Sequence, residues 1–591
     1  MKKLILSFAV AMLCVPATAQ QYIIVDNETP ILASDVDKIT YEQDEQFSSS
    51  LLPSVLAADP KAQLFSGALQ ATGIAEMLNN YQYDGCQAPA DFYPTALKKY
   101  WYNTSRNKMF TVFVETDEAL AVLGISNINQ LKAYAKKVYD AVYPEDADIS
   151  DPKDPRNSFN RFMAYHILPF GCNYWNLTYY DGKQTDKVVD TDMTDIAVWY
   201  GTVMSNASLK CSYPMGADSG VYLNRRGLKD GPDKYGKQIR GAKIVSDGSN
   251  SSDPFTHQAF NGYYFYIDRM LVYDKTTQED VLGSELWRVD FKALSPDIMN
   301  NAEDLRGNFY DSSDNTKNGK NYAYSFNCLE NITAENTTAP LLASRAISYY
   351  STYLCDEVWI PGTGGIFTIK LPPLPPGEWE IRMGTSAQDV RPHIRVSLNG
   401  QVTIDSLDLT LRNYNPDMFF GENPFSREIL DYMEKNYFEV TQQGDDQYLV
   451  TDLKTGEKIL LGGNPHSAFS SYDNILYFIG TDPSTGTELD WTERANTYRQ
   501  QATNDYITIA NLPKVMKAPD ECMCDNGGSG SWLSLSHYAI CVRYPLGRIT
   551  TDGKTDNYLR IESLSDGKLG TNNELAIDYL EFVPKPIYDN E

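Results

Sequence analysis

From Leu51 onward the hydrophobic positions follow first a helical and then an alternating period, and the switch predicts the architecture. Leu64, Phe65, Ala68 and Leu69 share one helical face, and Gly73 ends that run before Ile74, Met77 and Leu78 begin another turn. Pro53 suits a first helical turn, and Asp59 with Pro60 reads as the cap and first position of the next helix. Residues 110–114 are aromatic and β-branched, which predicts a strand. Thr116 then reads as a helix cap, with Asp117 and Glu118 in the first turn, where negative charge suits the helix dipole. Ile128, Leu131, Ala135, Val138 and Val142 predict the buried side of a helix opened by Ser126 or Asn127. Asp154-Pro155 reads as the start of another helix carrying Phe159, Phe162 and Met163, and residues 165–168 read as a strand.

Beyond about residue 320 the period becomes two. Residues 365–371 alternate, the Pro-rich run 372–376 breaks the ladder because proline lacks a backbone donor, and residues 379–383 resume it. Residues 394–398 and 401–404 flank Asn399-Gly400, a strong hairpin signal. Three more strands are expected at 538–544, 558–561 and 575–582. Many short strands separated by turn residues point to a sandwich or jelly roll.

The N-terminus changes the picture of where the chain works. Lys2 and Lys3 precede a short apolar run, and Ala17-Thr18-Ala19 fits a small-residue cleavage site, so residues 1–19 read as a signal peptide. Met12 and Leu13 stand before Cys14, where lipid attachment wants small residues, which favours cleavage before Gln20. The expected location is secreted: periplasmic, cell-surface or extracellular, with no transmembrane span. The net charge of −27 disfavours nucleic acid as a partner. Eight cysteines follow the leader; in an exported chain they permit disulfides, with the connectivity left open.

Two stretches resemble the signatures of fasciclin domains. Residues 111–120 (Thr-Val-Phe-Val-Glu-Thr-Asp-Glu-Ala-Leu) resemble the first, a strand and a capped helix; residues 261–271 (Asn-Gly-Tyr-Tyr-Phe-Tyr-Ile-Asp-Arg-Met-Leu) resemble the second, a turn and a strand. Tyr165-His166 matches the family's Tyr-His pair, and residues 52–73 resemble its opening helices. The chain departs from the family in Glu115, where proline is usual, in Phe265, where histidine is frequent, and in a long insertion of loop character around 172–252. The second half is similar to galactose-binding-like jelly rolls, through its Pro-rich turn, the Asn399-Gly400 hairpin and the closing strand 577–582.

The resemblances imply a fold class: an α+β fasciclin-like domain followed by a mainly-β sandwich. The expected layout is a leader at 20–46, the fasciclin-like domain at 47–277, a linker at 278–320 and the sandwich at 321–586, with an insertion around 405–535. The family's behaviour implies adhesion or binding to an extracellular protein or glycan. It marks Tyr165 and His166 as candidate binding residues, although such a pair also packs and hydrogen-bonds locally.

No catalytic motif stands against this reading. There is no His-Glu-x-x-His helix, residues 527–531 fail the serine-elbow pattern at the last position, and Gln238 occupies the metal-binding place of a phosphate loop. Asp146, Asp148, Asp151 and Asp154 lack the ordered spacing of a calcium loop. No cofactor and no metal are expected. The alternatives are a glycan-binding accessory protein of a polysaccharide-handling system, and a glycosidase or esterase without a sequence signature, since glycoside hydrolysis needs only two suitably spaced carboxylates.

Overall fold

The computed structural model describes residues 22–23, 31–32, 50–83, 100–102, 106–178, 196–214, 219–227, 232, 236–249, 251–301, 321–337, 341–345, 353, 356–361, 364–386, 391–409, 436–444, 447–462, 481–482, 487–488, 516–517, 541–564 and 574–589. The chain forms two compact units, residues 1–50 and 51–591. In the first, Tyr22–Ile23 pairs antiparallel with Ile31–Leu32. The second is mixed α/β and β-rich, with short helices and several largely antiparallel sheets.

The helical part begins with α1 (Leu52–Ala58), α2 (Gln63–Ala71) and α3 (Ile74–Leu78). Asp59 does not cap α2, as its sequence position suggests. Its Oδ1 accepts from the Lys61 amide at 2.9 Å to turn the chain, and Ala62 takes the cap position. Strand β1 (Phe110–Glu115) is buried along its whole length. Thr116 caps α4 (Asp117–Val122), its hydroxyl accepting from Ala119 N at 3.2 Å. Asn127 caps α5 (Ile128–Val142), which buries Leu131, Ala135 and Tyr139 at every fourth position. Helix α6 (Ser158–Tyr165) starts later than Asp154-Pro155 suggests, because the Asn157 side chain supplies the cap. Tyr165 therefore ends a helix, and strand β2 is only Ile167–Leu168.

Residues 172–252, expected as loops, hold a four-stranded antiparallel sheet: β3 (Ile196–Gly201), β4 (Ser208–Tyr213), β5 (Tyr222–Leu223) and β6 (Ala242–Lys243), in the order β6-β5-β4-β3. Alternating residues of β3 and β4 place an apolar face on each strand, and turn residues between them obscure that pattern in the sequence.

After the insertion come β7 (His257–Ala259) and β8 (Gly262–Ile267). They complete a sheet of order β7-β8-β1-β2, in which β8 runs parallel to β1 from Gly262↔Phe110 to Ile267↔Glu115. Asn261 secures this join: its Oδ1 accepts from Leu52 N at 2.8 Å, its Nδ2 donates to Leu78 O, and its carbonyl accepts from Phe110 N. Gly262 has φ of +149°, and a Cβ there would stand 2.0 Å from the Phe110 carbonyl oxygen. The chain can turn this tightly against β1 only without a side chain.

Residues 278–301 are not a linker. They contain a π-helical turn (Thr277–Leu282), β9 (Trp287–Asp290) and α7 (Pro296–Asn301). Trp287 and Val289 are apolar and buried, so the segment joins a sheet instead of crossing solvent. Residues 302–320 lie outside the described residues.

The later strands are β10 (Asn321–Tyr324), β11 (Ile332–Glu335), β12 (Leu341–Arg345), β13 (Asp356–Pro361), β14 (Ile366–Lys370), β15 (Gly377–Ser386), β16 (His393–Leu398), β17 (Gln401–Asp408), β18 (Cys541–Thr551), β19 (Tyr558–Leu564), β20 (Glu574–Ile577) and β21 (Tyr579–Pro584). They build three five-stranded sheets. One runs β9-β21-β15-β18 and then Met516–Lys517, one β20-β13-β12-β10 and then Tyr100–Tyr102, and one β11-β14-β19-β16-β17. The run 575–582, expected as one strand, is broken at Asp578, which sends β20 and β21 into different sheets. Within 405–535, Phe438–Gly444, Gln447–Asp452 and Lys458–Gly462 form a small antiparallel sheet.

Strands from the first half thus enter sheets of the second: β9 pairs with β21, and Tyr100–Tyr102 pairs with β10. Buried apolar side chains from Leu52 to Phe582 form one continuous cluster. Among the described residues no helix is long and apolar enough to cross a membrane.

Candidate functional site

The sequence singled out Tyr165 and His166, and both are fully buried. The Tyr165 hydroxyl donates to Ser208 O at 3.0 Å and accepts from Asn224 Nδ2 at 2.9 Å, which ties α6 to β4. Burial pushes the Tyr165 phenol well above its usual value. His166 closes α6: its Nδ1 lies 2.7 Å from Phe162 O and its Nε2 lies 2.8 Å from Glu115 Oε1. Glu115 Oε1 also accepts from Leu271 N at 2.9 Å. The rings of Phe65 and Phe162 stand edge-on to the imidazole. The pair is held inside, where it links β1, α6 and the segment after β8. Glu115, noted in the sequence as a departure from a resembling family, is the residue that makes this link. A carboxylate in an otherwise apolar strand must find a partner, and that requirement was the legible signal.

Three of the four acidic residues before α6 are used locally. Asp146 pairs with Arg161 at 2.7 Å, Asp154 with Arg156 at 3.0 Å, and Asp151 accepts from Lys153 N. Among the described residues no group of three or more His, Cys, Asp or Glu side chains is gathered to hold a metal ion. Residues 527–531 lie outside the described residues.

An open cleft of 560 Å³ lies at one end of the β11-β14-β19-β16-β17 sheet, between the β16–β17 hairpin and the β18–β19 turn. Its volume is in the range that small ligands occupy. Asn399 and Gly400 form the hairpin, both with positive φ (+48° and +81°), the geometry that Asn-Gly accepts readily. Asp552 shapes the opposing turn: its Oδ1 accepts from Lys554 N and Thr555 N, both at 2.8 Å, and its Oδ2 from the Thr555 hydroxyl at 2.9 Å. Those two backbone donors, Lys554 first, hold the Asp552 carboxyl below the usual carboxylate range.

Two amides join the rims. Asn399 Nδ2 donates to Asn557 Oδ1 at 2.8 Å, and Asn399 Oδ1 accepts from Tyr558 N at 2.9 Å. Tyr558 is 41% exposed beside this seam. Asp556 pairs with Lys370 at 3.0 Å on the outer rim. The turn is also fixed from outside, since Lys554 pairs with Glu145 and its carbonyl accepts from Asn206 Nδ2. The result is an open surface lined by Tyr558 together with threonine hydroxyls and asparagine amides. The Asn-Gly turn was visible in the sequence. Nothing local marks Asp552-Gly553 and Tyr558 as its counterpart, because 152 positions separate Asn399 from Thr551 and only folding brings them together.

A comparison of the chain with family models found no match, and a comparison with curated proteins found none.

Proposed function

We propose that this chain is a secreted or cell-surface, non-catalytic adhesion and binding protein, with a fasciclin-like domain over residues 47–277 and a galactose-binding-like sandwich over 321–586. The observation that carries the reading is a pairing. The two segments with the fasciclin resemblance lie side by side, β1 parallel to β8, with Asn261 bonding to α1 and α3. Burial of Tyr165 and His166 moves the binding role away from that pair and toward an exposed surface.

A second reading, a glycan-binding accessory protein, is favoured by the cleft beside Tyr558. An exposed aromatic ring stacks on the apolar face of a sugar, and the flanking hydroxyls and amides suit its polar edge. The net charge of −27 favours neutral glycans over sulfated or uronic ones.

Because the two halves share sheets, the whole chain from Gln20 to Glu591 is the material to test. It is applied to an array of glycans and extracellular matrix proteins, alongside a panel of chromogenic glycosides and esters. Saturable binding without turnover is the expected result. Turnover of any substrate would overturn the non-catalytic reading, and silence on both surfaces would overturn the binding role.

A further inference from the structure

Cys172 and Cys211 stand as buried thiols, 4% and 0% exposed. Cys211 lies in the middle of β4, opposite Val198 on one side and Leu223 on the other. Cross-strand partners project to the same face, and so do residues two apart along a strand. Cys211 therefore shares a face with Val198, Tyr200, Leu209 and Val221.

That face is covered by the segment that follows β2. The Phe170 ring meets the Tyr200 ring at 5.1 Å, the Tyr200 hydroxyl donates to Leu177 O at 2.9 Å, and the Tyr174 hydroxyl accepts from Val221 N at 3.1 Å. Cys172 sits between Phe170 and Tyr174 in this covering segment. Its amide donates to the Thr111 hydroxyl at 2.9 Å, which anchors it to β1. The Cys211 thiol is pushed well above its usual value, first by burial and then by the neighbouring Cys172 sulfur.

We propose that Cys172 and Cys211 form a disulfide in the oxidised protein, pinning the inserted sheet β3–β6 to the sheet that contains β1. The bond forms by thiol–disulfide exchange with a disulfide donor such as glutathione disulfide. One cysteine thiolate attacks the donor and releases one thiol. The second cysteine then attacks the mixed disulfide and releases the other, so the donor takes up the two electrons and the two protons lost by the pair. Burial of both sulfurs in the folded chain requires that this happen before the insertion closes, and it shields the bond afterwards.

The test uses the full chain, refolded in a glutathione redox buffer, so that it does not depend on export or on any binding role. Free thiols are alkylated in denaturant, and peptides are mapped by mass without reduction. The expected product joins the peptides of Cys172 and Cys211, lighter by two hydrogens than their sum. Alkylation of both residues, or their linkage to other cysteines, overturns the proposal. A Cys172→Ala/Cys211→Ala double variant gives a second reading. It is expected to melt a few degrees below the oxidised chain, and its melting temperature is expected not to change on adding reductant at concentrations that lower that of the unsubstituted protein. An equal response of both to reductant overturns the assignment.

Discussion

His166 Nε2 and Glu115 Oε1 meet at 2.8 Å, with neither side chain in contact with solvent. The Phe162 carbonyl can only accept, so His166 Nδ1 carries a proton. One further proton then lies between Nε2 and the carboxyl, and the pair is neutral overall whichever group holds it. Each residue satisfies the other in a place where neither would be tolerated alone.

Removing one partner is therefore costly. His166→Leu leaves the Glu115 carboxyl facing apolar side chains and is expected to lower stability by about 3 kcal/mol or more. Glu115→Gln keeps an oxygen acceptor at the Oε1 position that Leu271 N and His166 Nε2 share, and is expected to cost less than His166→Leu. Denaturant unfolding of the two variants measures the difference. Equal costs would contradict the pairing.

At the cleft, Tyr558→Ala is expected to weaken binding of a neutral glycan roughly tenfold, equivalent to about 1.4 kcal/mol. Tyr558 is an exposed residue, so the melting temperature is expected to stay within about 2 °C of the unsubstituted value. Titration calorimetry and thermal melting check the two halves of this prediction separately.

Glu581 is the anchor of a buried charge row. It lies opposite Arg288 in β9 and Arg382 in β15, and Arg543 of β18 reaches both its oxygens at 3.1 and 2.8 Å. Burial pushes its carboxyl up, but Arg543, Arg288 and Arg382 together hold it below the usual 4.5. Glu581→Gln removes the buried carboxylate that Arg288 and Arg543 bond to directly, with an expected loss of about 3–5 kcal/mol. The folded value is lowered, so the stability that Glu581 confers is complete above its unfolded value and fades as pH falls through the folded one. Acid unfolding of the Glu581→Gln variant is expected to show a shallower loss over that range.

His257 reports in the opposite half of the molecule and at higher pH. Its ring stacks on Tyr264 at 4.6 Å and tilts toward Tyr266, and its Nε2 is buried without a hydrogen-bond partner among the described residues. Both tyrosine hydroxyls donate to Asp59 Oδ2. Burial lowers the imidazole below its usual 6.5, against the opposing pull of Asp247, Asp59 and Asp253. A histidine kept neutral in the fold takes up its proton more readily when unfolded. Stability is therefore expected to fall as pH drops below 6.5, down to the lowered folded value. Melting temperatures taken between about pH 7.5 and pH 5 are expected to show a flatter profile for His257→Phe.

Some elements were legible because their signals are local. Thr116 caps α4 with its own hydroxyl, and Asn399-Gly400 turns with two positive φ angles. Residues 110–114 and 379–383 declare strands by their side chains. Elsewhere a local signal lost to a better one nearby. Asn157 capped α6 in place of the Asp154-Pro155 start, and Asp59 turned away from α2 to meet Tyr264 and Tyr266. The run 575–582 looks continuous, yet Asp578 divides it, because its amide donates to Gly384 O while its carbonyl accepts from Phe291 N. Neither partner is near it in the sequence.

What the chain determined by itself was a set of elements: caps, turns and apolar stripes, each set by residues within a few positions of one another. Only the tertiary structure decided their partners. It laid β8 beside β1, drew β9 into the sheet of β21, buried Tyr165 and His166, and brought Asp552 and Tyr558 opposite Asn399. The physical reason is that strand pairing and burial of charge depend on surface removed from water between distant segments. A carboxylate such as Glu115 or Glu581 is tolerated inside only when the fold delivers its partner.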